Sequence, residues 1–140
     1  MGWVWCRVRM GDIDIDEVGQ AFVTFFYEQW DEDRSQVGGL YTDDAMMTFE
    51  GEGFQGPENI VGKLTSLKFE TVKHVWQTCD VQPTLSGGLL VFVSGNLYVD
   101  FHLLGENEEP QPINYCHAFV LQPTNDSFAV SNELFRINTA

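Results

Sequence analysis

Past Phe69 the apolar residues change their spacing, and this change constrains the fold more than any other feature of the chain. Before it, Ile15, Val18, Phe22, Phe25, Phe26 and Trp30 recur three and four apart, the period of an amphipathic helix with an aromatic stripe. After it, Val72, His74 and Trp76 alternate with Thr71, Lys73, Val75 and Gln77, and long strand-like runs follow at "GGLLVFVSGNLYVDF", "INYCHAFVLQ" and "SFAVSNELFRI". Ser-Gly-Gly, Glu-rich and Asn-Asp turns separate those runs. Helices first and a meander afterwards predict an α+β domain, with N-terminal helices packed on a strongly curved antiparallel sheet. Such a sheet encloses an apolar cavity at its wide end, and Gly87, Gly88 and Gly95 are candidates for its bends.

The segments between helix and sheet read in order. The acidic "DEDR" ends the first helix, and a short helix is predicted through "SQVGGLY". A strand at "AMMTFE" leads into a tight turn at Gly51-Glu52-Gly53, followed by "FQG". Gly56-Pro57-Glu58 opens a second helix, since proline suits a first helical turn and glutamate its positive end. Ile60, Val61, Leu64 and Leu67 share a face of it. Residues 1–11 differ in character and are expected to be a disordered extension, with "MGDIDID" from Met10 as an alternative beginning and 12–140 as the domain. With 44% apolar and 14% aromatic residues, 140 residues suffice for one core.

Charge and motifs narrow the function. There are 21 acidic residues against 7 basic ones, and Arg7 and Arg9 lie in the first ten positions. This surface repels phosphate backbones, so direct nucleic-acid binding is not expected; it favours a partner with a basic face, and solubility alone also accounts for it. No apolar run reaches the length of a membrane span, and no secretory signal is written, so a soluble intracellular protein is expected. Cys6, Cys79 and Cys116 fit neither a disulfide framework nor a zinc knuckle, and His74, His102 and His117 match no ligand spacing with Cys116 or Asp80. Neither a Gly-x-Ser-x-Gly elbow nor a phosphate-cradling loop is present, so neither cofactor nor metal is expected. One catalytic pattern stays open: a cavity acid-base enzyme, an isomerase or dehydratase, using Glu50, His74 and Asp80. A histidine flanked by Val72 and Trp76 on a strand face is more often a hydrogen-bonded core residue than a catalyst.

"DRSQVGGLY", "FQG" followed by "IVGKLTSLKF", "SGNLYVD" and "NELFRIN" together resemble the nuclear transport factor 2 family over residues 13–138. The resemblance implies a cone-shaped domain, a homodimer formed through the sheets, no catalysis, and import of the small GTPase Ran in its GDP form. In that family an aromatic from Ran enters an apolar cavity while basic residues beside it pair with rim carboxylates. Carried over by position, Phe49, Leu67, Val72 and Phe135 line the cavity, His74 stands near its mouth, and Glu50 and Asp100 are rim acids. Leu134 matches the dimer interface. The loop "DFHLLGENEEPQP" is longer than the family's, which leaves Glu108 or Glu109 as the third rim acid. FxFG-repeat nucleoporins are the second implied partner, and Ile15 stands where an aromatic often helps to bind them, with Trp3 or Trp5 as substitutes. The implied location is cytoplasm and nucleus, concentrated at the pore. A heterodimeric adaptor of messenger-RNA export is the related alternative.

Overall fold

Asp14 begins the first helix, its carboxylate accepting the N–H of Asp16 at 3.1 Å and of Glu17. The cap satisfies backbone donors that have no partner inside the helix. In the computed structural model, which describes residues 9–10 and 13–138, strand β1 (Arg9–Met10) pairs with β2 (Ile13–Asp14), and helix α1 (Ile15–Asp33) follows. Most of the expected N-terminal extension, with Trp3 and Trp5, lies outside the described residues. Ile15, Gly19, Val23, Phe26, Tyr27 and Trp30 form the buried face of α1. Phe25, predicted in the same stripe, is 43% exposed, because the core-facing arc runs through its neighbours Phe22 and Phe26. At Gly19 a Cβ would lie 2.3 Å from a methyl of Val81, so the absence of a side chain lets the helix approach the sheet.

A 3₁₀ helix at Arg34–Leu40 joins α1 to β3 (Tyr41–Phe49), which turns back into β4 (Glu52–Gln55) before α2 (Pro57–Thr65). Leu67 therefore lies beyond the second helix, not on its face. Four strands follow, β5 (Val72–Pro83), β6 (Leu89–Val99), β7 (Ile113–Pro123) and β8 (Phe128–Ile137), in an antiparallel meander. The six-stranded sheet has the order β4-β3-β8-β7-β6-β5. It is mixed and not purely antiparallel, since β3 runs parallel to β8. That pairing closes the first half of the chain onto the last strand. A bulge in β5 between Trp76 and Thr78 bends the edge of the sheet. Gly95 stands opposite it, where a Cβ would lie 2.4 Å from the Val75 carbonyl oxygen; Gly87 and Gly88 instead belong to the β5–β6 turn.

Inward positions of β6 and β7 (Val91, Val93 and Leu97, then Tyr115, Phe119 and Leu121) form one core with α1 and α2. Outward positions carry a different surface. Thr48 of β3, Leu134 of β8, Ala118 of β7 and Phe92 of β6 follow one another across the strands, with Leu134 56% and Phe92 44% exposed. Met46 and Leu90, also exposed, lie in the adjoining row with Val120 and Asn132.

Candidate functional site

Glu50 stands in the turn itself. Phe49 pairs with Glu52, leaving Glu50-Gly51 as a two-residue hairpin loop with φ of 50° and 87°, the left-handed geometry that matches the twist of the flanking strands. The predicted turn at Gly51-Glu52-Gly53 is thus one residue late, and Glu52 belongs to β4. A glutamate in this region costs on the order of 1–3 kcal/mol unless the surroundings hold it there. Here the Glu50 N–H donates to the Phe135 carbonyl at 3.0 Å, and its carboxylate accepts the N–H of Ile137. Those bonds carry the β3–β8 pairing past the end of the strand and fix the acid on the turn.

Asp100 occupies the same backbone region, φ 48°, just beyond β6. Its Oδ1 accepts the N–H of Glu70 at 2.8 Å and of Thr71 at 3.1 Å, while its own N–H donates to the Thr71 carbonyl at 2.9 Å. The amides of Thr71 and Glu70 hold this carboxyl below the usual aspartate range, so it keeps its charge in more acid solution. Glu50 and Asp100 lie at the same end of the sheet, where β3, β6 and β8 terminate and β5 and β7 begin.

Beside Glu50 the aromatic residues close up. The rings of Phe49 and Phe135 stack with centroids 4.9 Å apart and planes 6° apart. They cover a chamber of only about 10 Å³, walled also by Trp30, Leu64, His74, His117 and Glu133. That volume is barely enough for one water. Leu67 and Val72, expected in the lining, join the surrounding core without bordering this space. His74 is a buried wall residue and not a mouth residue: its Nδ1 lies 2.6 Å from Asp31 Oδ1, its backbone N–H donates to Asp31 Oδ2 at 2.9 Å, and its ring stacks on Tyr27 at 4.2 Å. Burial lowers its pKa against the opposing pull of Asp31, so the ring is neutral and Nδ1–H donates to the carboxylate.

Beneath the chamber is a buried polar network. His117 Nε2 meets Glu133 Oε2 at 2.5 Å, Tyr41 donates its hydroxyl to Glu133 Oε1 at 2.6 Å, and the Tyr27 hydroxyl lies 2.9 Å from His117 Nδ1. Burial raises the pKa of both tyrosines well above the usual value, so they remain donors. Reading the residues one by one missed Asp31, Tyr27, Tyr41 and Glu133 in this role. The available signal was His117 and Glu133 at inward positions of period-two strands, where a polar side chain requires a partner.

The remaining candidates lie apart. Glu109 borders a hollow of about 430 Å³ with Lys73, Val75, Tyr98, Phe101 and Pro110, and Glu108 is exposed in the same loop. Ile15 is 1% exposed and belongs to the core, so it offers no surface to a repeat peptide. The outer apolar relief near α1 is instead a groove of about 560 Å³ whose walls include Val18, Phe22, Phe25, Leu40 and Phe128. Asp80 is exposed on the outer face opposite Phe92, and Glu50 is exposed on its turn, so neither converges with His74 on a polar pocket as an acid-base enzyme needs. Among the described residues no group of three or more His, Cys, Asp or Glu is placed to hold a metal, and no helix is long and apolar enough to cross a membrane.

Residues 18–137 match the family model described as the nuclear transport factor 2 (NTF2) domain. The chain belongs to the nuclear transport factor 2 family. Nuclear transport factor 2B of Arabidopsis thaliana is 44% identical over 133 residues, spanning 94% of this chain and 100% of that protein. Nuclear transport factor 2 of Saccharomyces cerevisiae is 40% identical over 127 residues, 90% of this chain and 96% of its own. The solved structure of nuclear transport factor 2 from Cryptosporidium parvum superposes with a TM-score of 0.78 at 37% identity, covering 88% of this chain and 94% of that one. The two helices and curved mixed sheet are thus the cone-shaped family fold. The fold extends beyond the family's carriers, since a putative scytalone dehydratase from Novosphingobium aromaticivorans superposes at TM-score 0.72 with 8% identity over 89% of this chain and 85% of its own. Fold alone therefore does not separate carrier from enzyme.

Proposed function

We propose that the chain is a non-enzymatic nuclear import carrier for the GDP-bound form of Ran, working as a homodimer and crossing the pore through weak contacts with FxFG-repeat nucleoporins. The observation that carries this reading is Glu50, an exposed carboxylate fixed on a rigid turn next to the Phe49–Phe135 stack. It places one negative charge beside one aromatic pocket, the combination that receives an aromatic residue flanked by basic ones. Relatives named as nuclear transport factors support the transport role, and the acidic surface speeds encounter with a basic partner. Since the chamber is about 10 Å³, an incoming ring takes the place of Phe49, which swings outward. Asp100 adds negative potential at the same end. The outer groove beside Phe25 and Phe128, and not Ile15, is the surface suited to a repeat phenylalanine. The protein then divides between cytoplasm and nucleus and concentrates at the pore.

Purified Ran loaded with GDP or GTP and passed over the immobilised chain tests the reading: selective retention of the GDP form supports it, and retention of neither form or of both equally removes it. The dimer is tested separately. The row formed by Leu134, Ala118 and Phe92 offers a continuous apolar face for a second copy. Leu134→Glu is expected to sediment as a folded monomer at concentrations where the wild type is a dimer, because each copy would then bury an unpaired charge in the apolar face. An unchanged dimer excludes this face as the interface.

A further inference from the structure

Arg34 follows α1 directly, and its guanidinium is spent on carbonyl groups. Nε donates to Leu64 O at 2.8 Å, Nη2 to Phe69 O at 2.5 Å and Leu67 O at 3.2 Å, and Nη1 to Glu70 O at 3.5 Å. The same group lies 4.6 Å from the centre of the Phe69 ring and 5.8 Å from that of Trp30. Arginine suits this position because its planar fork offers five fixed donors, and its charge sits where the carbonyls ending α2 are partially negative. From the opposite side Asp100 accepts the N–H groups of Glu70 and Thr71. His102, in the loop after β6, adds a 2.9 Å contact from Nδ1 to the Thr71 hydroxyl and lies 3.6 Å from the Glu70 carboxylate. Carbonyls are thus held by Arg34 and amides by Asp100.

Two of the groups that Arg34 touches, Leu64 and Trp30, are walls of the aromatic chamber, and the Phe49–Phe135 stack forms another. We propose that Arg34 and Asp100 form a clamp on residues 64–71 that holds Leu64, one wall of the partner-binding chamber, in place. Arg34 is then a positioning residue for partner binding. The proposal rests on the carrier reading, but the clamp has a readout of its own. Arg34→Lys keeps the charge and loses the fork. Amide exchange at residues 67–71 is expected to speed up at least about tenfold in Arg34→Lys while β7 amides are unchanged, and affinity for Ran·GDP is expected to fall about tenfold. Unchanged exchange at 67–71 in Arg34→Lys overturns the clamp. Faster exchange with unchanged affinity overturns the positioning role. A wild-type chain that ignores Ran·GDP defeats the carrier reading and the positioning role with it, while the exchange result still decides the clamp.

Discussion

Glu133→Ala is expected to lower folding stability by about 2–6 kcal/mol, since each of two buried groups left without a hydrogen-bond partner costs about 1–3 kcal/mol. The carboxylate is 3% exposed and serves two buried groups at once, His117 and the Tyr41 hydroxyl. Its loss leaves both without an acceptor and opens a void beneath the aromatic chamber. Glu133→Gln keeps the shape and an acceptor oxygen, so its cost is expected to be smaller, roughly 1–3 kcal/mol. Urea denaturation at one fixed protein concentration measures both, a precaution that the proposed dimer requires. A loss under about 1 kcal/mol for Glu133→Ala would show that the network is not desolvated as described.

Glu50→Lys is expected to remove about 2–5 kcal/mol of binding free energy toward Ran·GDP, because a charge that attracts a basic contact becomes one that repels it. The dimer should persist, since Glu50 stands at the rim while the Leu134 row lies on the outer sheet face. Glu50→Gln separates charge from geometry: its amide oxygen still accepts the Ile137 N–H, so the turn survives and only the ionic part is lost. Calorimetric titration should rank wild type, Glu50→Gln and Glu50→Lys in falling order of affinity. Equal affinities would exclude Glu50 from the contact.

The layout could be read from the sequence because each element repeats a strong local signal. The three- and four-residue spacing of α1, the Gly56-Pro57-Glu58 opening of α2 and the alternation along β5 to β8 each match the folded elements. The parallel β3–β8 pairing could not be read in this way, since it joins segments far apart in sequence and no turn encodes it. At the site, the adjacency of Phe49 and Phe135 follows from that same pairing, and the resemblance to the family put both in one lining. The turn lies one residue before Gly51-Glu52-Gly53, because the chain places a glutamate as well as a glycine at positive φ, the glutamate being held by Ile137 from another strand. His74 and Asp100 were assigned to a partner, whereas each first satisfies its own chain, His74 through Asp31 and Asp100 through Glu70 and Thr71. Such partners are set by tertiary packing and leave no local pattern.

Transport itself is the most direct test of the carrier reading. Fluorescent Ran·GDP is added to permeabilised cells depleted of their soluble transport factors, and nuclear fluorescence is followed with the wild-type chain, with Glu50→Lys, or with neither. The account predicts nuclear accumulation with the wild type alone. Accumulation no greater with the wild type than without any added chain, or equal accumulation with Glu50→Lys, would contradict it.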